Sequence, residues 1–303
     1  LSESQGPADN TRRTELTALA EKLRPELHRY CSRLMGSIIE GEDVVQDTLT
    51  RALLGSDEMQ DVRTLRAWLF RVAHNRALDL LRGRTIRSVE PLDAANEVAD
   101  AAVPDPMEIL MRQETIKTAI SQFMELAVIQ RSVVILKDVL DEPLAEIANL
   151  LGLTVDSVKA HLSRARARLR EINGMAAEEQ LPARPVSDAV ANYVRLFNKH
   201  DWDGLRALLA DDVRLNQSTH PVRVGASNVG MFFSTYAKID GIRLVPAWLE
   251  DREVIAVFEN RTDAKPSYIM WLEWRDGKIS FIRDYRYVRY VVADAQLALT
   301  SSF

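Results

Sequence analysis

Apolar residues recur at helical spacing over the first half of the chain and give way to shorter, strand-like runs over the last third. Leu16, Leu19, Leu23 and Leu27 open the pattern, and Val44, Val45, Thr48, Leu49 and Leu53 continue it. Leu65, Trp68, Leu69, Val72, Ala73, Ala77, Leu80 and Leu81 close the first helical segment, predicted over 14–84. A second is predicted over 108–173. There Leu144, Ile147, Ala148 and Leu151 precede Gly152, which takes positive φ without steric cost and so ends a helix. Thr154 is the N-cap of the next helix, in which Val155, Val158, Leu162, Ala165 and Leu169 form one apolar stripe. Away from that stripe lie Ser157, Lys159, His161, Arg164 and Arg168, with Arg166 and Arg170 close by. Two short helices around a tight turn, the second carrying such donors, predict a helix-turn-helix that enters a DNA major groove. A surface helix pair with ordinary solvated charges is the competing reading.

Between these segments the periodicity fails. Residues 1–13 are polar and are expected to be disordered, 85–107 form an acidic, proline-containing linker, and 174–185 form a second linker. After position 186 a helix with Val190, Tyr193, Val194 and Phe197 leads into HDWDGLRALLADDVRL, a second helix running into a strand. Two later runs, SYIMWLEWR and KISFIRDYRYVRY, flank Asp276-Gly277, a two-residue hairpin signal. The expected fold is multidomain: two all-α domains, then an α+β domain over 186–292 with antiparallel strands in a curved sheet, and a tail over 293–303.

Composition narrows the partners. At 303 residues the chain exceeds one ordinary domain, and no apolar run approaches the roughly 20 residues that span a bilayer. With no signal-peptide pattern, a cytoplasmic protein without membrane contact is expected. Cys31 is the only cysteine, which excludes an intramolecular disulfide and a cysteine-rich zinc site; no metal or cofactor is expected. The formal charge of -5 argues against a protein that grips DNA alone. Residues 1–180 hold 23 Lys+Arg against 29 Asp+Glu, so the DNA-binding half is the acidic one. Its bases are concentrated: Arg66, Arg71, Arg76, Arg82, Arg84 and Arg87 are opposed only by Asp79. Weak autonomous DNA affinity, exercised within a larger assembly, follows.

GEDVVQDTLTRAL, then RAWLFRVAHNRALDLLRGR, then the helix-turn-helix, in that order, closely resemble an extracytoplasmic-function sigma factor of bacterial RNA polymerase over residues 16–172. The resemblance implies a region 2 domain over 14–84 and a region 4 domain over 108–173. Core polymerase is the implied partner, through the β′ clamp helices and the β flap, together with promoter DNA. Glu42, Asp43, Gln46 and Asp47, an acidic polar face by spacing, match the motif that docks on the clamp helices. Arg71, His74, Asn75 and Arg82, opposite the core side of their helix, match the surface facing the melted -10 element, where bases are unstacked and captured. Asn75 is the first candidate there, Trp68 reads as core and His74 as a surface histidine. The loop 57–64, DEMQDVRT, matches the family's specificity loop. Ser157, Lys159, His161, Arg164 and Arg168 are placed at the -35 element. Glu90, Asp93, Glu97, Asp100 and Asp105 of the linker either mimic nucleic acid in a polymerase channel or simply solubilise a tether.

Residues 186 to about 290 resemble the SnoaL-like branch of the nuclear transport factor 2-like superfamily, a cone whose sheet wraps a pocket. The resemblance implies either acid/base catalysis by Asp284 with His220, or a built-in regulator of the sigma regions. His220, Tyr236, Trp248 and Asp284 are the candidate pocket, open to a small-molecule ligand. Phe232, Trp271 and Trp274 are candidate lining or core, and Asp284 can instead pair with Arg283 or Arg286. Regulation is the favoured reading, and the chain as a whole is expected not to be an enzyme. The best-described fused group has a DGGGR-type motif and an NPDKL-type segment; this chain has HPVRVG and VVADAQLAL there, with only Asp294 and Leu297 retained. The tail from Tyr290 is a candidate contact with the sigma domains. Two alternatives stay open: a DNA-binding regulator fused to an active SnoaL-like enzyme, and a helix-turn-helix repressor independent of polymerase.

Overall fold

The computed structural model describes residues 7–54, 65–85, 119–175 and 184–300. The expected specificity loop and the acidic linker lie outside the described residues. The chain forms two compact units, Leu1–Ala177 and Glu178–Phe303.

The first unit is helical. Helix α1 (Pro7–Met35) starts within the stretch expected to be disordered, and 1–6 lie outside the described residues. It buries Leu23, Leu27, Tyr30, Cys31 and Leu34 at three- and four-residue spacing. Gly36 turns the chain at φ +71° into α2 (Ile38–Leu54). The two helices cross so closely that a Cβ on Gly41 would lie 2.5 Å from the Ser32 backbone, which requires glycine there. Helix α3 (Leu65–Thr85) packs on both through Leu65, Leu69, Phe70, Ala73 and Ala77.

After a 3₁₀ turn (Ile120–Glu125), α4 (Val128–Val134) widens into a π turn (Ile135–Val139), followed by α5 (Leu144–Leu151) and α6 (Val155–Met175). Gly152, at φ 68°, caps α5 in the left-handed conformation, and the Thr154 hydroxyl accepts from the Ser157 amide at 3.1 Å. Val158, Leu162, Ala165 and Leu169 are buried as the spacing predicts, while Val155 is exposed at the first turn. The two helical domains expected from sequence share one hydrophobic core, running from Leu27 and Phe70 to Phe123, Val133 and Leu162.

The second unit begins with α7 (Asp188–Asn198), capped by Ser187, and α8 (Trp202–Ala207), capped by Asp201. Strands β1 (Leu209–Asn216), β2 (Arg223–Val224), β3 (Arg243–Leu249), β4 (Arg252–Phe258), β5 (Tyr268–Arg275), β6 (Lys278–Asp284) and β7 (Ala298–Leu299) build one sheet, in the order β2-β1-β6-β5-β4-β3-β7. Helix α9 (Ala226–Tyr236) packs against β1. Asp276 and Gly277 take φ 52° and 73°, the positive pair that a two-residue hairpin demands.

Two expectations are corrected here. The sheet is not wholly antiparallel, because β1 runs parallel to β6, its partner about 60 residues later. The tail is part of the sheet: β7 pairs with β3, and Thr300 donates twice to the Pro246 carbonyl. Among the described residues no helix is long and apolar enough to cross a membrane, and no cluster of three metal-ligating side chains occurs.

Candidate nucleic-acid interface

At about 100° per residue, Arg71, Asn75, Leu78 and Arg82 share the face of α3 opposite Leu69, Ala73 and Ala77. Arg71, Asn75 and Arg82 are exposed, and Arg82 is held 3.7 Å from Asp79. Trp68 is half-buried against the core. His74 does not belong to this surface. It sits one step toward the core, buried, with Nδ1 2.8 Å from the Tyr30 hydroxyl. Burial, reinforced by the nearby Arg82 charge, pushes its imidazole down to about 4, so it is neutral at pH 7.

On α6, Ser157, His161, Arg164 and Arg168 fall at steps of four, three and four and form one stripe beside the apolar seam. Arg164 stands 3.3 Å from His161 Nδ1, and Arg168 donates to Glu171 at 3.1 Å. Burial and the Arg164 charge both lower the His161 pKa. Lys159 departs from the expected set: two residues from Ser157, it lies on the opposite flank, 3.8 Å from Asp156. Arg166 points inward. Its guanidinium grips Asp138 of the π turn with two bonds, at 3.0 and 2.6 Å, both side chains buried. That fork fixes α6 on α4 and leaves the stripe facing out.

The acidic face of α2 is also revised. Glu42 is fully buried because it lies three and seven residues before Val45 and Leu49, on the core side of the helix. Arg24 bonds it at 2.6 Å and donates to Gln46 at 2.6 Å. Asp43 and Asp47 remain half-buried at the surface, and Asp47 is gripped by Arg76 at 2.9 and 2.8 Å.

In the second unit Asp284 is fully buried at the end of β6. One oxygen accepts from the Arg286 amide at 2.9 Å; the other accepts from Gln217 at 2.9 Å and from the Tyr236 hydroxyl at 3.4 Å. The Tyr236 and Tyr268 hydroxyls lie 2.7 Å apart. Burial raises the Asp284 carboxyl to about 6 against these stabilising bonds. Tyr193 is buried beside the carboxylate, and its hydroxyl has no hydrogen-bond partner among the described residues. The expected pocket does not assemble. His220 is exposed and stacks on Tyr287 at 4.0 Å, while Trp248 is half-buried under Arg184, its indole nitrogen donating to the Arg184 carbonyl. Phe232 is core, whereas Trp271 and Trp274 are only half-buried.

Family comparisons place this geometry. The sigma-70 region 2 family matches residues 19–86, the sigma-70 region 4 family residues 119–169, and the SnoaL-like domain family residues 190–282. The chain is 34% identical over 158 residues to the extracytoplasmic-function sigma factor SigL of Mycobacterium tuberculosis, covering 51% of this chain and 86% of that protein. The chain belongs to the extracytoplasmic-function sigma factors. It is 33% identical over 231 residues to SigG of the same organism, covering 68% of this chain but 62% of that relative, so it spans less than two thirds of SigG's length. The crystal structure of the M. tuberculosis sigma factor SigJ aligns over 87% of this chain and 94% of that one, at 22% identity and a TM-score of 0.35.

Within this sigma factor, sequence reasoning missed the arginines that hold the helical unit together. Arg24 and Arg131 fall outside the quoted motifs, and Arg66 opens RAWLFRVAHNRALDLLRGR without a role assigned to it. Their partners, Glu42, Glu142 and the Leu34 carbonyl, lie 18, 76 and 97 residues away. The one available signal was a set of long basic side chains at positions where the helical pattern calls for core.

Proposed function

We propose that this sigma factor directs RNA polymerase to promoters. In this reading the Arg71–Asn75–Arg82 face of α3 engages the -10 element, and the Ser157–His161–Arg164–Arg168 stripe of α6 engages the -35 element. The polar rim left by Asp43, Gln46 and Asp47 docks on the β′ clamp helices, and region 4 on the β flap. The protein works in the cytoplasm, where polymerase and promoter meet. The observation that carries the reading is the pairing, in a chain of this family, of two outward stripes of DNA-type donors on separate helices, each backed by a buried arginine fork or apolar seam. Arg164→Ala is expected to weaken binding to a cognate promoter about tenfold; unchanged run-off transcription would remove Arg164 from the interface.

The second unit acts in this reading as a regulator of the sigma regions, without chemistry of its own. Both Asp284 oxygens are already engaged, and the expected acid/base partner His220 is a surface residue. Run-off transcription with core polymerase, comparing the full chain with a truncation after Ala177, is the test. A changed yield supports regulation, and equal yields defeat it. Turnover of a small molecule that Asp284→Ala abolishes would favour catalysis instead.

A further inference from the structure

The polar rim of α2 is held by arginines of the two helices beside it. Asp43 and Asp47 stand four residues apart and so share one face, with Gln46 next to them. Arg24 of α1 donates to the Gln46 side-chain oxygen at 2.6 Å while it also pairs with buried Glu42, so one guanidinium both closes the core and orients a rim residue. Arg76 of α3 does the second job alone. Its Nε and one terminal nitrogen both meet Asp47 Oδ2, at 2.9 and 2.8 Å. Both lone pairs of that oxygen are then used. The other oxygen, Oδ1, has no partner among the described residues, and the Asp47 side chain keeps 47% of its surface exposed.

By placement Arg76 is not a DNA contact. It follows Asn75 by one residue, about 100° round the helix, and its guanidinium reaches toward α2. Nor does the fold depend on it, since a part-exposed ion pair of this kind contributes little to stability. What the pair fixes is the orientation of one carboxylate. A solvated side chain loses rotational freedom when an interface orders it, and that loss subtracts from binding. With Oδ2 engaged beforehand, Asp47 meets a cationic partner already ordered and offers it a single oxygen. Such a contact takes one N–H donor, in place of the two-bond fork that an unengaged carboxylate accepts.

We infer that Arg76 is a positioning residue for docking on core polymerase, holding Asp47 so that Oδ1 receives one N–H from a cationic side chain of the clamp helices. This rests on the sigma-factor reading above. Arg76 is the cleaner place to test it than Arg24, whose removal would also strand Glu42 in the core.

The experiment measures equilibrium binding of the full chain to fluorescently labelled core RNA polymerase. Arg76→Ala is expected to weaken binding about threefold to tenfold, the range that ordering a side chain at an interface costs. Asp47→Ala should weaken it at least as much. In the double variant the two losses should not multiply, because Arg76 acts through Asp47. Arg76→Lys keeps the charge but makes one bond where the guanidinium makes two, so it should recover part of the affinity, and it carries the comparison if Arg76→Ala does not fold. Exchanging the pair, Asp47→Arg with Arg76→Asp, rebuilds the internal contact without a carboxylate on the rim, so binding should stay weak. Arg76→Ala binding like wild type overturns the positioning role, as do losses that multiply in the double variant or an affinity restored by the exchange. A wild-type chain that binds no core polymerase overturns the sigma-factor reading and the positioning role together, whereas a wild type that binds and is matched by Arg76→Ala overturns the positioning role alone.

Discussion

In the helical unit the buried arginines Arg24, Arg131 and Arg166 are each held by an oxygen from another segment, the buried carboxylates Glu42 and Asp138 among them, whereas in the sheet unit the buried carboxylate Asp284 lies among two phenols, an amide and a backbone N–H. The difference lies in what each group can do when its partner is lost. A guanidinium stays charged at any ordinary pH, so every helical joint that uses one must remain paired or come apart. A carboxyl can take up a proton and become neutral, so the sheet unit can absorb a lost bond by titrating.

The largest expected break in this contrast is Asp138→Ala, which strands Arg166 in the core. It should cost about 3–5 kcal/mol of helical-unit stability, read by denaturant unfolding followed by helical circular dichroism, with little change in the sheet unit's transition. Next come the two buried titrating groups, whose signs oppose. The folded His74 pKa of about 4 lies below its unfolded value, so its contribution is full above about pH 6.5 and is lost as pH falls toward 4, about 3 kcal/mol in all. His74→Gln should flatten that part of the helical unit's stability profile.

Asp284 runs the other way. With a folded pKa of about 6, its contribution is full below the unfolded carboxylate value near 4 and is lost as pH rises through 6, again about 3 kcal/mol. Asp284→Asn should remove that loss from the sheet unit's thermal transition between pH 4 and 7, and equal slopes in variant and wild type would sink the assignment. The smallest effect is at Tyr193, whose buried hydroxyl has no partner among the described residues. Tyr193→Phe is expected to stabilise the sheet unit by about 1 kcal/mol in the same thermal measurement.

Features legible in the sequence were local ones. Gly152 with Thr154 marked the tight turn, and Asp276-Gly277 marked the hairpin, because each conformation is demanded by the residues that adopt it. The outward placement of the polar stripes on α3 and α6 was legible for the same reason, apart from His74, Lys159 and Arg166. Those three lie near the boundary between core and solvent, where one residue step decides the face. Glu42 was misplaced because its charge suggested a surface role, although its register with Val45 and Leu49 pointed inward. The shared helical core, the parallel β1–β6 pair and the return of β7 to β3 join residues far apart in sequence. Side-chain periodicity records which face is buried, not which distant segment covers it.

The parallel β1–β6 pairing also sets an order in time. During synthesis β1 waits for β6, about 60 residues behind it, and β3 waits for β7 at the far edge of the sheet. At about 5–20 residues per second that is several seconds of translation. The helices of the first unit are made earlier, so they can complete their core while the sheet is still emerging. Each newly made molecule therefore passes through an interval in which its sigma regions are folded and the domain behind them is not.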